Sequence, residues 1–154
     1  MVLSLLLPVV LLSSGLAAGV LVGTQLGGFP LLAALPADRY VHAHAFFATR
    51  YDPFMPGCFV TTAFVDLLLV FLAPEPAAAV LFLLGTLLTL FTMAISVTKN
   101  VPTNRWVQTL DPDALPADFD YVERRAGWGR WNRTRSYLAV AAFLVNCIAL
   151  GVLI

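Results

Sequence analysis

Residues 54–97 have the sequence FMPGCFVTTAFVDLLLVFLAPEPAAAVLFLLGTLLTLFTMAISV. The stretch contains two apolar runs, about 54–72 and about 77–97, and each has the roughly 20 residues that a membrane-crossing helix needs. Only the link Ala73-Pro74-Glu75-Pro76 separates them. Because a proline-rich link of this length cannot continue a helix, the stretch predicts a tight antiparallel pair of transmembrane helices.

Two further apolar runs, about 3–25 and about 137–154, complete a bundle. Four spans predict an all-α fold, a four-transmembrane-helix bundle, in a single domain over residues 1–154. A composition of 60% hydrophobic and 12% charged residues, with a mean hydropathy of +0.86, excludes an ordinary soluble domain. The expected partner is therefore the lipid bilayer. A formal net charge of zero argues against a nucleic-acid partner.

The basic residues are confined to the two long segments between apolar runs. They are Arg39 and Arg50 in the first segment, and Lys99, Arg105, Arg124, Arg125, Arg130, Arg133 and Arg135 in the second. Lys and Arg accumulate in the cytoplasmic loops of membrane proteins. The asymmetry predicts a multi-pass protein of the cytoplasmic (plasma) membrane, with both large loops in the cytoplasm and both termini outside.

Each of the two loops is predicted to contain helical structure. In the first, residues from about 37 to 50 follow a Pro-Ala-Asp start signal and lack Gly and Pro, so we expect a short helix. This helix would lie at the membrane interface or fold back onto the bundle. In the second loop, Val101-Pro102 is expected to end the third helix. A helix beginning near Phe119 is expected to continue into the fourth span and to extend beyond the bilayer.

Polar and aromatic residues cluster at the loop ends of the third and fourth spans. The third run ends in NVPTN, residues 100–104, in which two carboxamides lie four residues apart. The fourth follows WGRWNRTR, residues 128–135, whose Trp128, Trp131, Asn132 and Arg135 share one helix face. Two interpretations are open for each motif. The carboxamides cap a helix end or serve a site, and the Trp and Arg residues anchor the helix at the interface or line a binding slot.

These motifs resemble those of the anthrone oxygenase-like family of small four-helix integral membrane proteins. The family has an Asn-Val-Pro-x-Asn run at the end of the third helix and a Trp-x-x-Trp-Asn-x-x-Arg run at the start of the fourth. Both occur here in that order, and four spans in a chain of about this size complete the pattern, so the resemblance covers nearly the whole chain. It implies a membrane-embedded monooxygenase of polyketide biosynthesis, which oxidises an apolar aromatic substrate of the anthrone type to a quinone with dioxygen.

Such an enzyme must hold a flat apolar substrate, remove a proton from its acidic methylene and stabilise the resulting anion. On the positions that match the family's motifs, the resemblance implies anion-binding, catalytic roles for Asn100, Asn104, Asn132 and Arg135. It also implies stacking of the substrate rings on Trp128 and Trp131. Further candidates for substrate contact are Trp106, Arg50 and Asp66.

His42 and His44 are the candidates for proton transfer, since histidine is the usual base near neutral pH. On a helix, His44 falls on an aromatic face that begins at Tyr40, whereas His42 points roughly opposite. Three roles are open: catalytic base, metal ligand, or interfacial residue without a catalytic role. In an extended segment both histidines, with Asp52 or an Asn as a further ligand, would suit copper or iron. The expected cofactor is therefore none, or one of these metals.

Asp66 lies near the middle of the second span, where an ionisable residue is expensive and by default indicates a function. It is either a protonated member of a polar seam with threonines of the neighbouring span, or part of a substrate or proton path. The second interpretation favours an alternative function, an oligomeric transporter or channel-like component. A non-catalytic membrane scaffold subunit is a third alternative.

The first span contains two overlapping Gly-x-x-x-Gly steps, formed by Gly15, Gly19 and Gly23. Small residues at this spacing let two helices approach closely. They predict close packing, either in a homo-oligomer or within the bundle.

Overall fold

The computed structural model of the protein describes residues 2–51, 53–116 and 119–154. Its helices are α1 (Val2–Gly23), α2 (Phe29–Ala34), α3 (Ala37–Tyr51), α4 (Phe54–Leu72), α5 (Pro76–Ile95), α6 (Val101–Gln108) and α7 (Val122–Leu153). π-helical turns at Thr24–Gly28 and Ser96–Asn100 join α1 to α2 and α5 to α6. Within the described residues, four segments are long and apolar enough to cross a membrane: Val2–Ala34, Phe54–Leu72, Pro76–Gln108 and Val122–Leu153. The predicted all-α four-helix membrane bundle is confirmed.

The bundle is built from neighbouring pairs of helices. α1 packs on α4 and α7, and α5 packs on the same two helices. α4 ends at Leu72 and α5 begins at Pro76, as the short link predicts. Apolar side chains fill the interior in two layers, one around Leu69 and one around Leu21. Within this interior, Gly15 lies against the ring of Phe143 on α7, so this glycine of the pattern serves a contact inside the bundle.

Two helical segments run further than predicted, and both do so through a proline. The first span continues to Ala34, and the expectation that Val101-Pro102 ends the third helix is wrong, because the helix continues to Gln108. In each case a π-helical turn precedes the proline. The residue before the proline donates to a carbonyl five residues back, as in the bond from Val101 N–H to Ser96 O. A proline ring collides with the carbonyl of the preceding α-helical turn. The wider π turn gives that carbonyl room, so the helix passes through the proline.

A second, smaller core covers the loop end of the bundle. It is formed by α2, α3, α6 and the first turns of α7, and its buried members are Leu32, Tyr40, Val41, Val107 and Trp128. α3 packs on α2, α4 and α6, as expected for a helix folded back onto the bundle. Arg125 ties this layer to α7, because its guanidinium donates to the carbonyl oxygens of Leu32 and Leu35 at 3.0 Å each. α7 begins at Val122 and is continuous into the fourth span.

Candidate functional site

A cavity of about 150 Å³ lies at the loop end of the bundle. Its walls come from the ends of the four membrane helices and from α2, α3 and α6. Most of the lining is apolar: Val20, Leu21, Leu32, Phe47, Ala48, Met55, Pro56, Phe59, Met93, Val97 and Val101. The residues with polar groups in the lining are Thr24, His44, Tyr51, Ser96, Asn104, Trp128 and Arg135. A mainly apolar pocket with a few convergent polar groups is typical of a binding site for a small apolar ligand.

His44 is the histidine that reaches this cavity. Its side chain is 1% exposed, with Nδ1 lying 3.0 Å from the hydroxyl oxygen of Tyr40 and Nε2 lying 3.1 Å from Asn104 Oδ1. His42 is exposed, on the other side of α3. The two rings therefore cannot bind one metal ion together on this helix, and Asp52 lies outside the described residues. Elsewhere in the part of the chain that the structure describes, no group of three His, Cys, Asp or Glu side chains could hold a metal ion.

Trp128 determines which nitrogen of His44 carries the hydrogen. An indole N–H only donates, and Trp128 Nε1 lies 2.8 Å from Asn104 Oδ1, so this atom must be the carboxamide oxygen. That oxygen can only accept, and therefore His44 Nε2 donates to it. Nδ1 is then unprotonated and accepts from the Tyr40 hydroxyl.

The imidazole of His44 is held in its neutral form. Burial, the largest effect, lowers its pKa from the ordinary 6.5 because the charged form loses its hydration. The hydrogen bond to Asn104 opposes this shift, and the positive charge of Arg135 adds to it. At neutral pH the side chain therefore presents one N–H group and one basic nitrogen.

Arg135 brings a fixed positive charge to the cavity. Its Nε and Nη2 donate to Asn132 Oδ1 at 3.1 and 2.8 Å, and its Nη1 donates to Ser96 Oγ at 3.2 Å. Asn132 is fully buried and donates in turn to Gln25 Oε1 at 3.2 Å. The guanidinium carbon lies 5.9 Å from the centre of the Trp128 ring. The guanidinium, the indole N–H and the imidazole N–H therefore lie close together, an arrangement that suits an anion.

Asn100 supports Trp128, which lines the cavity. It is fully buried and lies outside the cavity lining. Its Nδ2 donates to the carbonyl oxygen of Trp128 at 3.2 Å, which joins the end of the π-helical turn to α7. Asn100 and Asn132 thus hold Trp128 and Arg135 in position without lining the cavity themselves.

Three of the predicted substrate contacts lie away from the cavity. Trp131 is 39% exposed, and the ammonium of Lys99 lies 5.3 Å from the centre of its ring. Trp106 stacks on Phe119, and Arg50 lies on the exposed side of α3. None of the three side chains lines this cavity with Trp128, and contact between them and a substrate stays a prediction.

Asp66 lies in the middle of the bundle and is also outside the cavity lining. It is fully buried, and its Oδ2 accepts from Asn146 Nδ2 at 3.2 Å. Gly85 makes room for the pair, because a Cβ at that position would come within 2.7 Å of Asn146 Oδ1 and 2.9 Å of Asp66 Oδ2. The nearby Thr86 hydroxyl donates to a carbonyl of its own helix. These contacts favour a polar packing role within the bundle over contact with a ligand in the cavity.

Sequence reasoning did not assign Tyr40, Gln25 or Ser96 to the site. Tyr40 is four residues before His44, and this helical spacing alone would have predicted their hydrogen bond. Gln25 and Ser96 meet Asn132 and Arg135 across the bundle, and no local pattern in the sequence pairs residues so far apart.

Comparison with known proteins gives one family match. The model of the family described as anthrone oxygenase matches residues 43–145. The matched region includes both motifs and His44, Asn104, Trp128 and Arg135. No curated protein and no solved structure shows significant similarity to this chain. Since the match spans more than half of the 154 residues, the chain belongs to the anthrone oxygenase family.

Proposed function

We propose that this protein is a membrane-embedded oxygenase that uses dioxygen to oxidise an apolar aromatic substrate of the anthrone type to a quinone. Membership of the anthrone oxygenase family supports an oxygenase role. The observation that carries the proposal is the donor wall, which we define as Trp128 Nε1, His44 Nε2 and the guanidinium of Arg135, beside an otherwise apolar cavity. Two of these donors converge on Asn104 Oδ1. The charged oxygen of a flat aromatic anion would replace that oxygen as the acceptor.

The reaction converts a ring methylene and dioxygen to a carbonyl group and water. Loss of one methylene proton gives an anion whose charge is shared between the carbon and the ring oxygen. The anion passes one electron to dioxygen, and the carbon radical and superoxide combine to a hydroperoxide after uptake of a proton. Loss of water from the hydroperoxide gives the quinone. The substrate supplies the electrons, and the protein's contribution is to lower the free energy of the anion.

His44 acts as a donor in this scheme. The Tyr40 hydroxyl donates to Nδ1, so the hydrogen of the imidazole stays on Nε2. Once the substrate has displaced the oxygen of Asn104, Nε2 donates to the charged oxygen of the anion, and the methylene proton passes to water.

The proposal is tested with purified, detergent-solubilised protein and a hydroxylated anthrone, by recording quinone absorbance and oxygen uptake together. Arg135→Gln removes the charge of the donor wall, and Arg133→Gln is the matched control because Arg133 is exposed on the same helix. We expect a rate well above spontaneous oxidation in the wild type and in the control, and loss of that rate in Arg135→Gln. A wild-type rate equal to the spontaneous rate, for anthrones of several substitution patterns, would overturn the proposed function.

A further inference from the structure

A continuous series of rings connects the cavity with the surface. We define the aromatic series, beginning in the cavity, as Trp128, His44, Tyr40, Tyr121, Phe119 and Trp106. In that order, the centres of adjacent rings are 4.8, 5.4, 5.4, 5.5 and 5.6 Å apart. The last three contacts are stacked, with interplanar angles of 29°, 10° and 17°. The inner end is buried against the donor wall, whereas Tyr121 and Trp106 are partly exposed.

Packing alone does not require the composition of the series. Aromatic pairs stabilise protein cores, and phenylalanine or leucine would serve that purpose equally well. Tyrosine and tryptophan are, in addition, the side chains that lose an electron most readily. They occupy both ends of the series and its middle, and the hydroxyl of Tyr40 is bonded to an unprotonated imidazole nitrogen.

We propose that the aromatic series carries oxidising equivalents out of the cavity, with Tyr40 and His44 as a proton-coupled step. The proposal rests on the proposed function, because it is the reaction with dioxygen that forms radicals and a hydroperoxide beside Trp128. A surface reductant of the thiol or quinol class would return the electron at the Trp106 end. The series would thereby protect the site from its own oxidant.

The steps balance as single-electron transfers. Homolysis of the hydroperoxide gives an alkoxyl radical and a hydroxyl radical. Each in turn takes one electron from Trp128 and is reduced to the alkoxide or to hydroxide, so the following steps occur twice for each homolysis. Tyr40 gives one electron to the Trp128 radical cation, and its hydroxyl proton moves along the 3.0 Å hydrogen bond to His44 Nδ1. This leaves a neutral tyrosyl radical and an imidazolium. Tyr121 then reduces Tyr40, which takes its proton back from His44, and Tyr121 loses its own proton to water. The surface thiol or quinol returns one electron to the Tyr121 radical through Trp106, and Tyr121 takes up a proton from water.

Arg125 explains why the electron must leave Tyr40 together with a proton. The guanidinium carbon lies 5.5 Å from the centre of the Tyr40 ring and 4.9 Å from that of Tyr121. A positive charge at this distance disfavours a second positive charge on either ring. Either tyrosine that loses an electron is therefore stable only after losing its hydroxyl proton as well. At Tyr40 the acceptor is His44 Nδ1, the nitrogen that Asn104 and Trp128 leave unprotonated.

The first test counts turnovers. Tyr121→Phe preserves the stacked ring and removes the oxidisable hydroxyl, and Tyr137→Phe is the control because Tyr137 is 69% exposed and outside the series. We expect Tyr121→Phe to keep the wild-type initial rate but to lose activity after several-fold fewer turnovers. Peptide mass spectrometry should then find added oxygen on Trp128. Equal total turnovers in the wild type, Tyr121→Phe and Tyr137→Phe would overturn the proposal.

A second test needs no substrate and therefore separates this proposal from the proposed function. In a Trp131→Phe background, the remaining tryptophans, Trp106 and Trp128, both belong to the series. An ultraviolet flash with a pentaamminechlorocobalt(III) salt as electron acceptor oxidises them, and electron paramagnetic resonance identifies the trapped radical. We expect a tyrosyl signal that changes to a tryptophanyl signal in the Tyr40→Phe/Tyr121→Phe variant and persists in Tyr137→Phe. The same signal in all variants would show that the series does not conduct, whatever the protein's substrate.

Discussion

The two tryptophans of the WxxWNxxR motif provide the sharpest prediction, because the structure assigns them different surroundings. Trp128 is buried, and its indole N–H donates to Asn104 Oδ1 at 2.8 Å, whereas Trp131 is 39% exposed and lies outside the cavity lining. Trp128→Phe keeps an aromatic ring in the wall and removes the donor. Trp131→Phe makes the same chemical change three residues away on the same helix.

The expected magnitudes follow from what each change removes. Loss of one preorganised donor to a developing oxyanion costs about 2.7–4 kcal/mol of transition-state stabilisation, so kcat should fall by about 100- to 1,000-fold in Trp128→Phe. The cost to folding should be smaller, about 1 kcal/mol, because Asn104 Oδ1 still accepts from His44 Nε2. Trp131→Phe should leave kcat nearly unchanged.

The assay is anthrone-dependent oxygen uptake in detergent, with the thermal midpoint of each variant measured in the same buffer. The two measurements separate a lost donor from a lost fold. Equal kcat values for Trp128→Phe and Trp131→Phe, with both proteins folded, would refute the assignment of the donor wall.

Three further predictions concern stability. Gly85→Ala should lower the free energy of unfolding by about 1–3 kcal/mol in detergent, because the new methyl group displaces the hydrogen-bonded side chains of Asp66 and Asn146. Gly19→Ala is the control and should not show this loss, because a Cβ at that position meets no atom within 4 Å. The lowered pKa of His44 means that the unfolded chain binds a proton that the folded one resists, so stability should fall as the pH drops below 6.5. His44→Gln should remove that pH dependence, and an unchanged pH profile would contradict the burial of the imidazole. Arg125→Lys should increase hydrogen exchange in α2 and α3 but not in α4 or α5, because an ammonium lacks the planar guanidinium that bonds two carbonyls at the end of α2 and also lies over the rings of Tyr40 and Tyr121. The same exchange in both proteins would contradict this role.

The transmembrane helices were predictable because their signal is local. Length and hydropathy alone define the segment Phe54–Leu72, and the prolines after it define the turn. The continuation of the third span through Pro102 was not predictable in this way. It depends on a π-helical turn at Ser96–Asn100. A proline more often ends a helix than lies inside one that continues by means of a π-helical turn.

The candidate site was predictable only in part, because helical periodicity identifies a face but not its neighbours. Trp128, Trp131 and Arg135 share a face of α7, yet α3 and α6 cover only the part of it that includes Trp128. The protonation state of His44 depends on Asn104, which lies 60 positions further along the chain. Contacts of this kind are set by the packing of the loop layer on the bundle.

The central claim is that this cavity forms and oxidises an aromatic anion, and isotopically labelled dioxygen tests it most directly. The wild type and Arg135→Gln would be supplied with the same anthrone, and the quinone would be analysed by mass spectrometry at matched times. We expect the wild type to form quinone carrying one labelled oxygen atom far faster than the spontaneous reaction, and Arg135→Gln to form it at the spontaneous rate. Quinone oxygen derived from water, or equal rates for the wild type and Arg135→Gln, would contradict the account.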